Sequence, residues 1–67
     1  MNVNVFNSYR ALHGQTLEEL SGLVGMTRQA LHRKSNDLSD FDVSEIKRFI
    51  DVWKLTPDQM YDIFFKE

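Results

Sequence analysis

Arg28, Gln29, His32 and Arg33 are the residues of this chain best equipped to act on a partner, and what they offer is hydrogen-bond donation rather than bond-making. An arginine fork can give a bidentate pair to guanine O6 and N7, and a glutamine amide can pair with adenine N6 and N7; each such pair discriminates by roughly 1–3 kcal/mol. His32 can donate to an acceptor one turn deeper. Arg33 reaches more naturally for a phosphate, as does Lys34 where exposed. On a helix, Arg28, Gln29 and His32 form an i, i+1, i+4 set along one exposed side. Reaction chemistry has no comparable set of groups. The histidines, His13 and His32, fall in separate segments, and cysteine, a glycine-rich phosphate loop and an HExxH pattern are all missing from the sequence. That leaves neither a nucleophile–base pair nor a metal cluster. A helical chain this short also has little room for a deep pocket. The expectation is a chain that is not an enzyme, with no metal, no cofactor and no small-molecule substrate.

The element that must present these donors runs from Thr16 to Lys34, TLEELSGLVGMTRQALHRK. Leu17, Leu20 and Val24 recur at i, i+3 and i+7, one face of a helix. Gly25 ends that helix, being able to take a positive φ without steric cost. Met26 can plug the corner. Thr27 is an N-cap for a second helix that buries Ala30 and Leu31 and turns Arg28, Gln29, His32 and Arg33 outward. Two helices that meet at a steep angle across a short turn leave no room for a large side chain between them, and Ser21 is small.

Thr16 as cap, Glu18-Glu19-Leu20, small Ser21, Gly25, Met26 and Thr27 together resemble the helix-turn-helix of the Cro and lambda-repressor-like (Xre-type) DNA-binding family, in its small phage-type form. Arg10, Gly14 and Thr16 resemble the family's approach to the motif. Asn36 and SDFDVSEIKRFIDVW resemble its later loop and fourth helix, so the likeness covers most of the chain. The resemblance implies an all-α, compact five-helix domain over residues 1–67, with helices at about 4–13, 17–24, 28–35, 43–53 and 57–65. It further implies base contacts from Arg28, Gln29 and His32 in a major groove, and phosphate contacts from Thr16, Thr27, Arg33, Lys34, Asn36 and Ser39. Four positions depart from the pattern. Gln15 and Leu17 look exchanged relative to the family's apolar-Thr-Gln order, and leucine cannot give the glutamine's bond to the DNA backbone. Lys34 stands at an apolar position, which predicts a weakly anchored or early-fraying helix end. Asp37 follows Asn36 where the family often has glycine, and sets a carboxylate near the path of the phosphates.

Charge runs against a simple nucleic-acid binder. The 67 residues carry a formal net charge of −2 and a pI near 5.6, where a basic balance is the usual signature. The distribution is uneven. Residues 1–34 hold four Lys or Arg against two acids, and residues 35–67 hold four against eight. A local cationic patch can meet phosphates while an acidic far side weakens non-specific attraction. No apolar run is long enough for a membrane span or a signal-peptide core, so no membrane partner is expected. The missing cysteine fits a cytoplasmic protein, and the resemblance implies one working on the nucleoid of a bacterial host cell.

The remaining segments read as support. A first helix from about Asn4 to His13 turns Phe6, Tyr9, Val5 and Leu12 to the core and Asn7 and Arg10 outward, and Gly14 stops it. His13 is expected to meet the terminal carbonyls, and Glu18 and Glu19 to complement the dipole of their helix. Phe41 is expected to fold under as a plug. Asp42 with Glu45 forms a capping-box pattern before Val43, Ile46, Ile50 and Trp53, with Phe49 beside them and Lys47, Arg48 and Asp51 on the wet face. Thr56 and Pro57 start a last helix. That helix is too apolar for one buried face: Met60, Tyr61, Phe64 and Phe65 are a candidate dimer or partner surface, or Tyr61 and one Phe lie across the domain.

Two functions of different class follow. One is a sequence-specific regulator that binds a double-stranded DNA operator as a homodimer, with half-sites roughly 34–36 Å apart. The alternative is an anti-repressor or modulator that keeps the same fold and binds a partner repressor protein. The acidic total, Leu17, Asp37 and the aromatic last helix speak for the second.

Overall fold

A computed structural model describes residues 1–66, which are all-α. Five helices follow in order: α1 Val3–Leu12, α2 Leu17–Leu23, α3 Arg28–Ser35, α4 Val43–Trp53 and α5 Pro57–Phe64. One local rule starts all five. Asn2, Thr16, Thr27, Asp42 and Thr56 each accept a hydrogen bond from the backbone N–H three residues on. That satisfies one of the donors a helix start leaves without a partner. In α2, α4 and α5 the third residue, Glu19, Glu45 or Gln59, returns the bond to the cap's own N–H. Asn2 at the cap position lets α1 begin ahead of Asn4. Left-handed residues close the turns: Gly14 at φ 62° and Gly25 at φ 67°, then the non-glycines Asp37 at φ 63° and Lys54 at φ 53°.

Phe6 sits at the centre of the core, fully buried, with the rings of Phe41, Phe49, Trp53 and Phe64 at centroid distances of 5.8, 5.4, 5.3 and 6.4 Å. Phe41 is thus the plug its isolation in a polar loop suggests. Leu20, Val24, Leu31 and Ile63 complete the fully buried set. α2 packs on α3, α1 on α3 and α5, and α4 on α5. The Asn2 N–H donates to Ile63 O at 3.0 Å and ties the start of α1 to the end of α5. No described helix is long and apolar enough to cross a membrane.

Several sequence expectations are corrected. Leu12 is 79 % exposed and Val43 is 69 % exposed. The buried stripe of α4 is centred on Phe49 and Trp53, and Val43 lies roughly 110° round the helix from it. Leu12 is six residues beyond Phe6, well off the face that Phe6 and Tyr9 share. His13 does not turn to the end of α1, whose last carbonyls bond to backbone N–H groups of residues 13–15. Its ring stacks on Trp53 instead, 5.8 Å away and 8° from parallel. Arg10 is half-buried rather than outward, and its Nη1 donates to Gln15 O at 3.1 Å. α3 does not fray: it continues through Ser35, which is buried.

Candidate nucleic-acid interface

The α2–α3 connection is fixed from three directions. Ser21 is buried, and its hydroxyl donates to Glu18 O at 2.7 Å. The Met26 N–H returns to Ser21 O at 2.9 Å, which closes the turn around Gly25. From α4, Arg48 Nη1 donates to Val24 O at 3.2 Å, so a cation caps the carbonyl end of α2. Thr27 then opens α3, its hydroxyl accepting from the Ala30 N–H at 3.1 Å.

On α3 the side chains divide cleanly. Leu31 and Ser35 are buried and Ala30 and Lys34 half-buried, while Arg28, Gln29, His32 and Arg33 are exposed. At 3.6 residues per turn, those four exposed residues span an arc of about 140°. Among the described residues none of their side chains is engaged by another group of the protein, so the donors are free for a ligand. Lys34 is different. Its Nζ lies 2.7 and 2.8 Å from the two carboxylate oxygens of Glu45, with side-chain exposures of 21 % and 11 %. The same Glu45 carboxylate accepts the Asp42 N–H at 2.9 Å, so one acid caps α4 and locks the end of α3. Lys34 is therefore half-buried with its charge paired to Glu45.

The remaining expected phosphate ligands are spread around this helix. Thr16 is exposed, but its N–H is taken by the Glu19 carboxylate at 2.9 Å and its hydroxyl oxygen by the Glu19 N–H at 3.1 Å. Asn36 Nδ2 donates to His32 O at 2.8 Å, closing the end of α3, and Ser39 is half-buried. Around them Asp37, Asp40 and Asp42 are all exposed. Asp42 ionises more readily than a free aspartate, because the Ser44 hydroxyl and then the Glu45 N–H lower its pKa from the usual value. Gln15, displaced from the family pattern, has an internal role: its Oε1 accepts the Trp53 Nε1–H at 2.9 Å.

On α5 the candidate interface set splits. Phe64 is buried in the aromatic core and Met60 is half-buried against it. Tyr61 and Phe65 are each 56 % exposed and stack on each other at 6.2 Å. Phe64 is therefore mainly a core residue, with only the edge of its side chain left accessible. Sequence reading also missed Arg48 as an anchor and Glu45 as the partner of Lys34. A lysine at an apolar helix position and an acid in the first turn of the next helix were the available signal for that pair. No family model, curated protein or solved structure matches this chain significantly.

Proposed function

We propose that this chain is a small DNA-binding transcriptional regulator of the Cro and lambda-repressor-like kind, with α2 and α3 as its helix-turn-helix. The observation that carries the reading is the unengaged arc of Arg28, Gln29, His32 and Arg33 on a helix clamped at both ends. Arg28, Gln29 and His32 read base edges in the major groove, and Arg33 contacts phosphate. Lys34 contributes support rather than a phosphate contact, since its charge is used by Glu45. Two copies bind a two-fold operator, with Tyr61 and Phe65 as the pairing surface.

Selection of bound sites from a random duplex library, followed by salt titration, tests this directly. A two-fold motif should emerge. Arg28→Ala or Gln29→Ala should relax preference at one base position. Arg33→Ala should lower the slope of log K against log salt by about 1, and Lys34→Met should leave it unchanged. Absence of any enriched sequence at low salt would exclude the reading. A second reading, a modulator that binds a partner repressor protein, is favoured by one observation: Asp37, Asp40 and Asp42 stand exposed directly after α3. Carboxylates there repel DNA phosphates and suit a basic protein surface.

A further inference from the structure

A groove of about 240 Å³ lies between the loop after α3 and the end of α5, away from the outer arc of α3. Phe41, Ile46, Phe64 and Phe65 form its apolar wall, and Asp37 and Asp40 its acidic edge. Lys34 also borders it but brings no free charge, because both oxygens of Glu45 hold its ammonium. Among the described residues, no hydrogen bond or ion pair engages the Asp40 carboxylate. The exposed ring of Phe65, stacked on Tyr61, extends the wall outward.

From this pairing of an aromatic-lined wall with a carboxylate that has no partner among the described residues, we infer that the groove is a docking site for an arginine side chain on a basic segment of another protein. A guanidinium can lie flat on a ring while donating two parallel bonds to one carboxylate; an ammonium can satisfy only the charge. Charge complementarity selects a basic partner over an acidic or neutral one. A second copy of this chain is the poorer occupant. Its cationic surface is α3, whose Lys34 is already paired with Glu45, and the rest of that copy is acidic, so it offers the groove less free positive charge than a basic segment does. Only Lys34 of α3 borders the groove and the outer arc takes no part in it, so the site stands whether or not α3 binds DNA, and an arginine seated there competes with pairing of two copies through Phe65.

Titration of the isotope-labelled full chain with the capped peptide Ala-Arg-Ala, followed by amide chemical shifts, tests the site. Matched peptides carry lysine or the uncharged isostere citrulline. The arginine peptide should move the amides of residues 37–41 and 63–66, saturating in the millimolar range, with lysine weaker and citrulline without effect. Asp40→Asn and Phe65→Ala, both at exposed positions, should each weaken binding about threefold, the size of a single exposed contact. Arg28→Ala should bind the peptide as wild type does. Equal shifts from citrulline, shifts confined elsewhere, or unchanged affinity in both groove variants would overturn the assignment. Sedimentation of the wild type alone adds a second arm. Open-ended self-association that Arg33→Ala abolishes would give the groove to another copy, and would equally overturn it.

Discussion

Glu19 and Asp42 hold the first turns of α2 and α4 as carboxylates, and both are easier to ionise in the fold than in the unfolded chain. For Glu19 the main cause is the Thr16 backbone N–H, followed by the Thr16 hydroxyl. For Asp42 it is the Ser44 hydroxyl, followed by the Glu45 N–H. A folded-state pKa below the unfolded one means that the stabilisation is complete above the unfolded values, about 4.3 for Glu and 3.9 for Asp. It is lost as pH falls through the lowered folded values. Melting temperature should therefore decline below about pH 4. The variant carrying Glu19→Gln and Asp42→Asn keeps both cap acceptors without their titration, so its acid limb should be shallower. Parallel acid limbs for wild type and variant would show that these caps do not carry the dependence. At the same scale, the acid at residue 45 has two duties. Glu45→Ala removes a cap and leaves the half-buried ammonium of Lys34 unpaired. It should cost about 1–3 kcal/mol in chemical denaturation, more than Lys34→Met, which leaves the cap intact.

Among the elements, the α2–α3 pair depends on a residue from outside it. Arg48 reaches from α4 to the carbonyl of Val24, the residue that caps the end of α2, beside the turn at Gly25. Arg48→Met should cost about 1 kcal/mol and speed hydrogen exchange at the Met26 amide, while α5 amides exchange as before. Unchanged exchange at Met26 would leave Arg48 as surface decoration. This contact also explains what could be read in the sequence and what could not. Helix starts were legible because a cap and the N–H it accepts from lie three residues apart, and Gly14 and Gly25 carry their own backbone preference. Buried faces were less so: Leu12 and Val43 continue an apolar pattern past the point where a neighbouring helix covers it. The internal polar contacts were least legible. Lys34 and Glu45, Val24 and Arg48, and Gln15 and Trp53 are 11, 24 and 38 residues apart, beyond any local pattern. The outward arc of α3 was legible for the opposite reason, since its four side chains need no partner within the protein.

At the scale of the molecule, stability converges on one ring. Phe6 touches four other aromatic rings drawn from the 36–42 loop, α4 and α5. A domain of this length has a margin of ~3–10 kcal/mol. Phe6→Ala should cost about 3–5 kcal/mol and remove most of it, seen as loss of a cooperative thermal transition by circular dichroism. Phe6→Leu keeps apolar volume and should retain the transition at a lower temperature. A cooperative melt in Phe6→Ala close to that of wild type would mean the core tolerates a void at its centre.

The bond from the Asn2 N–H to Ile63 O has a mechanical consequence. It places the two ends of the described chain side by side, so tension applied at those ends loads the α1–α5 contact before any other. Once α1 swings away it carries Phe6 with it, and the remaining helices lose the ring they are packed around. Stretched between its ends, the protein should yield in one step, starting at α1, with α2 and α3 separating only after the core is already gone.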